Sequence, residues 1–195
     1  MESKKLNLLV KSSVLGVMGF LLMFLEFNPI PVFPWFLKFD LGDLPALIGA
    51  FSLGPVAGIL IELVSNILHG IFKGSTGFVG ELANFLVGSA FVFSAGYIYK
   101  FKKNKKGAII ALVFGSLVMT IVSAVLNIYV FLPLYAKILG WDINAFIGAA
   151  HAANHSVNSL STYILLAIVP FNIIKAALVS FLTFMLYKRV SKILH

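Results

Sequence analysis

The chain has no cysteine, little charge of either sign, and least of all acid: seven Asp and Glu stand against fifteen Lys and Arg in 195 residues. Without cysteine there is no disulfide framework and no thiolate chemistry, and the redox compartment cannot be read from that residue. Charged residues make up 11% and hydrophobic ones 60%, where a soluble domain carries about 25% charge. With a mean hydropathy of +1.01, an ordinary soluble fold is excluded. Also missing are a GxxxxGK[ST] nucleotide loop, so the chain cannot drive transport with ATP by itself, and any GxSxG or paired-carboxylate arrangement for hydrolysis. What the sequence has instead is a series of long apolar runs, which mark an integral membrane protein.

The net charge of +8 does not point to nucleic acid, because the basic residues sit at the ends of the apolar runs. They cluster at Lys4, Lys5 and Lys11, in KFKKNKK (100–106), and at Lys188, Arg189 and Lys192. That is the positive-inside pattern of membrane topology. The first apolar run follows a short basic start but lacks a small-residue cleavage site, so a retained first helix is expected rather than a signal peptide.

Six spans are expected, at 8–27, 44–53, 55–72, 77–99, 107–132 and 162–190. The first stops at NPIPVFP, where proline cannot continue a helix. The run 43–72 is read as two helices parted at Gly54-Pro55, because a single span would set the basic loops on opposite sides. With the split, both termini and KFKKNKK share the cytoplasmic side, together with eleven of the fifteen Lys and Arg residues. The second span then covers only about 15 Å of a ~30 Å hydrocarbon core, so it must be extended, tilted or shielded by neighbours. The expected fold class is an all-α integral membrane protein, a single domain over 1–195, with long outer loops after helices 1 and 5. Within the second of these loops DINAFIGAAHAANHSV reads as a short helix capped by Asp142.

Polar residues inside spans are costly, by roughly 2.5–3.5 kcal/mol per charge, and are functional candidates by default. Glu62, Asn66 and His69 share one helical face, as do Glu81, Asn84 and Gly88, and then Ser116, Thr120, Ser123 and Asn127. The last span offers Asn172 and Lys175. Ser116, Thr120 and Ser123 suit helix packing. Glu81, Asn84, Asn127, Asn172 and Lys175 lie toward the outer leaflet, where their stripes converge on an outward-facing polar pocket. Glu62 serves equally well as a structural partner.

The outer loop FPWFLKFDLGD hangs over the same side. Its aromatics Phe33, Trp35, Phe36 and Phe39 form either an interfacial belt or a cover for a flat ligand, with the backbone of Leu37 and Lys38 at its rim. His151 and His155 have the i, i+4 spacing of metal ligands but lack a third, and read as two exposed histidines on a loop helix; no metal site is expected. Ser12 and Gly16 form a small-xxx-small pair on the first helix, with Gly19 on the same side, suited either to packing within the chain or to docking an outside membrane partner.

Three segments, LKFDLGDLPALIGAFSLGPVAGILIE (37–62), GELANFLVG (80–88) and PFNIIKAALVSFLTFMLYKR (170–189), resemble the substrate-binding S components of energy-coupling factor (ECF) transporters, and among them the riboflavin-specific type. The resemblance covers nearly the whole chain. It implies six helices with cytoplasmic termini in the cell membrane, a first outer loop closing over the vitamin, and partnership with a membrane coupling subunit and two ATPase subunits. Family members dock the coupling subunit through an Ala-xxx-Ala motif on helix 1; here the matching place reads Ser12-xxx-Gly16.

Riboflavin also suits the residues. Its ring is flat with a uracil-like edge, and an asparagine offers both a donor and an acceptor, so Asn172 or Asn127 can satisfy that edge. Lys175 can donate to a ring carbonyl or a ribityl oxygen, or pair with Glu81. Glu81 and Asn84 are further contacts, and Leu37, Lys38 and Phe39 form part of the lid. The expected function is ATP-dependent vitamin uptake with partner subunits, with no catalytic residue and no cofactor. Rival readings are an S component for thiamine or pantothenate, an intramembrane enzyme using His151 and His155, and a proton-coupled carrier using Glu62 and Lys175.

Overall fold

A computed structural model describes residues 2–28 and 30–194, with side chains over 5–28 and 30–190. Pro29 and the side chains of Lys4 and Lys192, named above, lie outside the described residues. The described chain is helical and without strands; one antiparallel bridge joins Phe27 to Phe39. The helices are α1 (Glu2–Met23), α2 (Asp43–Leu53), α3 (Pro55–Phe72), α4 (Val79–Phe101), α5 (Lys105–Leu126), α6 (Leu132–Leu139), α7 (Ile143–Ala153), α8 (Leu160–Tyr163) and α9 (Val169–Leu194). A π-turn (Asn127–Phe131) fuses α5 to α6, and a second (Ile164–Ile168) fuses α8 to α9. Five continuous helical stretches are long and apolar enough to cross a membrane: Lys5–Met23, Pro55–Phe72, Val79–Phe101, Lys105–Leu139 and Leu160–Val190.

The short α2 is the centre of the bundle. It packs on α1, α3, α4 and α9, and every residue from Asp43 to Ser52 is buried. An apolar helix of 11 residues, about 16 Å long, is thus shielded by its neighbours rather than presented to lipid. Gly54 separates it from α3 with φ 111° and ψ 164°, a conformation in which a side chain is strained, and Pro55 then opens α3 with the pre-set φ suited to a first turn.

Helix ends differ from the sequence reading for local reasons. α1 stops at Met23 instead of 27, because Phe27 leaves to exchange backbone hydrogen bonds with Phe39 (2.9 and 2.8 Å). α4 starts at Val79 instead of 77, since Gly77 (φ 58°) and Phe78 (φ 67°) are both left-handed and cannot begin a right-handed helix. The fifth rod does not end near Pro133. The π-turn shifts the bonding register, with the Leu132 N–H donating to the Asn127 carbonyl, and Pro133, which has no N–H to give, follows directly where that register changes. Val169 donates to the Ile164 carbonyl in the same way, just before Pro170.

The small face of α1 is used inside the chain. Ser12 is buried, the Ser65 hydroxyl donates to the Gly16 carbonyl (2.9 Å), and a Cβ on Gly16 would meet Val64 at 2.6 Å. Of the two uses open to that face, packing within the chain is seen at Gly16, which meets α3.

A cavity beneath an aromatic roof

The end of the bundle carrying residues 24–42 holds a cavity of about 550 Å³. Its floor and walls come from α4, the α5–α6 rod and the α8–α9 rod, and its roof from the first loop and the α6–α7 connection. The roof is aromatic. Trp35 meets Trp141 edge-on at 6.4 Å between ring centroids, Phe36 meets Phe146 at 5.4 Å, and Tyr135 stacks on Trp141 at 6.2 Å.

The loop is pinned at several points. Besides the Phe27–Phe39 exchange, Asn28 donates to the carbonyls of Phe33 and Pro34 (3.4 and 3.3 Å). Glu26 Oε1 accepts from Lys38 (2.9 Å) and Lys73 (2.8 Å), joining the loop to the end of α3. Partial burial alone would raise the Glu26 carboxyl, but these two hydrogen bonds outweigh it and hold the group below its ordinary range.

Of the residues singled out as ligand contacts, Asn172, Lys175, Asn127, Glu81, Asn84, Leu37 and Lys38 line the cavity. Phe39 does not. It is 1% exposed and packs on Phe171 (4.5 Å between centroids) and Phe33, so it anchors the loop from below.

Lys175 is the hub of a buried polar network. Its Nζ lies 3.0 Å from Asp40 Oδ2, 3.1 Å from Asp43 Oδ2 and 2.9 Å from Asn84 Oδ1. Asn84 in turn donates to Asn66 Oδ1 (3.1 Å), and Asn66 donates to Glu62 Oε2 (3.2 Å). The Asp43 and Glu62 carboxyls converge over Gly88, where a Cβ would fall 2.8 Å from Asp43 Oδ1 and 3.0 Å from Glu62 Oε2. A Lys175–Glu81 pair, one of the alternatives for that lysine, does not form: Glu81 binds His69 (3.1 Å) and Thr76 (3.3 Å) instead, and Lys175 is paired with the two aspartates. A buried ammonium needs such partners, since an unpaired one costs several kcal/mol.

Asn127 and Asn172 behave differently. Each donates one N–H to its own helix, Asn127 to the Ser123 carbonyl and Asn172 to the Ile168 carbonyl, both at 2.9 Å. Each lines the cavity with a carbonyl oxygen and a second N–H left over; Asn127 opens the first π-turn, and Asn172 follows about one helical turn after the second. Such turns widen a helix locally and aim side chains off the regular register.

Sequence reasoning passed over Asp40 and Asp43 as partners of Lys175, although a lysine in an apolar run demands carboxylates and both stand in FDLGD. It also missed Tyr135, Trp141 and Phe146 as wall residues, for which the aromatic density of 133–146 was the available signal, whereas His69, placed on a polar stripe, does line the cavity. Elsewhere, Asp142 caps α7 by accepting from the Asn144 N–H at 3.3 Å. His151 donates from Nδ1 to the Val157 carbonyl (2.9 Å), and no group of three metal-ligating side chains occurs among the described residues.

A helical membrane bundle with a roofed polar cavity at one end defines a class: a membrane-embedded protein that binds a small molecule. Comparison narrows it. Residues 7–187 match the family model for the ECF transporter, substrate-specific component, and the chain belongs to that family. It is 39% identical over 197 residues to "Riboflavin transporter RibU" of Staphylococcus aureus, covering 98% of this chain and 96% of the relative. It is 35% identical to "Riboflavin transporter FmnP" of Bacillus subtilis, over 90% of this chain and 87% of that one. A solved structure described as "Structure and mechanism of the S component of a bacterial ECF transporter" superposes with a TM-score of 0.75 at 37% identity, covering 97% and 98% of the two chains. The protein is thus a transporter component of the membrane, not an enzyme.

Proposed function

We propose that this chain captures riboflavin from outside the cell and delivers it inward when an ATP-driven ECF module, a membrane coupling subunit with two ATPase subunits, reorients it. The single observation that carries the reading is the pair of free amide edges, Asn127 and Asn172, in one cavity beneath an aromatic roof. An isoalloxazine ring needs both features: flat apolar cover for its faces, and alternating donors and acceptors for its uracil-like edge. Glu81 and Asn84 contribute further polar contacts, and the backbone at Leu37 and Lys38 closes the rim while Phe39 supports it. Lys175 reaches a ligand oxygen by exchanging one of its protein partners for it.

On this reading α2 counts as the second of six spans, and the basic segments at 100–106 and 188–192 face the cytoplasm with both termini. The large cavity then opens outward.

Titrating the purified chain into riboflavin tests the proposal. Binding quenches flavin fluorescence with a break at one ligand per chain; a flat titration overturns it. Thiamine and pantothenate serve as competitors, and displacement by either at equal concentration would transfer the assignment to a sister vitamin.

A further inference from the structure

A second concavity lies on the outside of the bundle. It is a groove of about 270 Å³ between α3, α4 and α6, walled by Leu63, Ile67, Leu82, Phe85, Leu134 and Ile138. Leu63, Ile67, Leu82 and Ile138 are each 38–49% exposed, so the groove opens sideways, toward what is hydrocarbon if α3, α4 and the α5–α6 rod span the membrane. Its shape is held by an unusual element. Phe78, the one non-glycine residue with positive φ among those described, lines the groove and sets its ring against Gly70, where any Cβ would collide with it. Such backbone strain persists only where the surroundings enforce it.

Two polar side chains reach the groove, and both are already engaged. Asn66 is bonded to Glu62 and Asn84, and Glu81 to His69 and Thr76. Glu81 lines this groove and the large cavity alike, so its side chain is part of the partition between them. The remaining wall is apolar and takes an acyl chain, while the Glu81 carboxylate, in the first turn of α4, is already occupied by His69 and Thr76.

A cation stands at the loop end of the groove. Leu134, Lys137 and Ile138 share one face of α6 by their i, i+3, i+4 spacing, and Lys137 lies nearer the loop end than Leu134. Lys137 is exposed and makes no ion pair with any described residue. A lysine on the last turn of a membrane helix extends its ammonium to the level of lipid phosphates.

We propose that the groove is a binding site for one anionic phospholipid of the outer leaflet, its acyl chain along α3 and α4 and its phosphate at Lys137. The bound chain backs the Glu81 partition and so completes the side wall of the ligand cavity. The proposal rests on the outward orientation given above, and not on which vitamin the large cavity holds.

The full chain is reconstituted in vesicles of equal phosphatidylglycerol and phosphatidylcholine, extracted in mild detergent, and its retained lipid counted by native mass spectrometry. The expected result is one phosphatidylglycerol per chain. Lys137→Gln lowers the retained ratio of phosphatidylglycerol to phosphatidylcholine about fivefold, the effect of one lysine at an anionic surface. Leu82→Trp fills the groove and abolishes retention, whereas Ile121→Trp, at a 63% exposed residue of α5 outside the groove, leaves it unchanged. The melting temperature of each variant reports folding separately, so failure of the vitamin assignment does not affect the lipid count. Equal retention of both lipids, or equal loss in Leu82→Trp and Ile121→Trp, overturns the proposal. So does a groove that gives up lipid only when the coupling subunit is added, with no headgroup preference, because the occupant is then a partner helix.

Discussion

The two ends of the bundle are built on opposite rules. At the basic end, small residues bring backbones together: a Cβ on Gly96 of α4 would fall 2.9 Å from Ala50 of α2, and one on Gly58 of α3 would fall 2.8 Å from the same methyl. Phe51 stacks on Tyr99 at 4.2 Å, and Tyr187 meets both rings edge-on. At the loop end the same helices part around a cavity, and the gap is lined with side chains that satisfy one another: Lys175 with Asp40, Asp43 and Asn84, and Asn84 with Asn66. One end is closed by contact, the other is held open by a polar scaffold. The rigid base lets the open end present unpaired amides without collapsing onto them.

The largest break in this contrast comes from removing the hub. Lys175→Ala leaves Asp43 buried without its counter-charge, and breaking such a pair costs about 3–5 kcal/mol. Riboflavin binding is lost together with much of the thermal stability. The double variant Lys175→Met with Asp43→Asn removes both buried charges; it recovers most of the melting temperature and little of the affinity. Unchanged affinity in the single variant removes Lys175 from the site.

A sharper test uses one substitution at two positions of one helix. Gly96→Ala presses on Ala50 and costs about 1–3 kcal/mol of stability by overpacking, with affinity of the folded protein unchanged. Gly88→Ala, two turns nearer the loop end, presses on the carboxyls of Asp43 and Glu62 instead. It costs a similar amount of stability but also weakens riboflavin binding, because displacing those carboxyls moves Lys175 and Asn84. Equal effects on affinity at both positions would erase the distinction between the two ends.

Much of this was legible in the chain. Apolar runs and basic flanks located the helices, and stripes at helical spacing drew attention to Asn84, Asn127, Asn172 and Lys175, which the fold brings to one cavity. The chain also marked its own break at Gly54-Pro55. What could not be read was of two kinds. Partner choice depends on which faces meet in space, so Glu81 stood among the alternatives for Lys175, while the aspartates that do pair with it reach it from a loop and a helix start far away in sequence. Departures from helical register were hidden as well: proline at 133 reads as a stop, and the π-turn that accommodates it has no simple pattern in the residues. The small face of α1 was ambiguous for a related reason, because small residues admit any close neighbour and spacing does not say whose.

The smallest expected effect concerns the clamp that ties the roof to the rest. Glu26 accepts from Lys38 on the loop and Lys73 at the end of α3, at the rim of the cavity. Its carboxyl is held below the ordinary value of 4.5, with the two lysine hydrogen bonds outweighing burial. A group depressed in the folded state stabilises above its ordinary value and loses that contribution as pH falls through the folded one. The clamp is therefore complete at neutral pH and fails only in acid. Because both lysines are partly exposed, its worth is about 1 kcal/mol or less. Glu26→Gln should then release riboflavin a few-fold faster at neutral pH, with the melting temperature scarcely moved, since the closely packed base of the bundle does not depend on the roof. As pH falls below 4.5, parent and variant dissociation rates should converge, the parent speeding up to meet the variant. A gap that persists unchanged in acid would mean that Glu26 acts by shape rather than charge, and no gap at neutral pH would mean that the roof is held by its aromatic contacts alone.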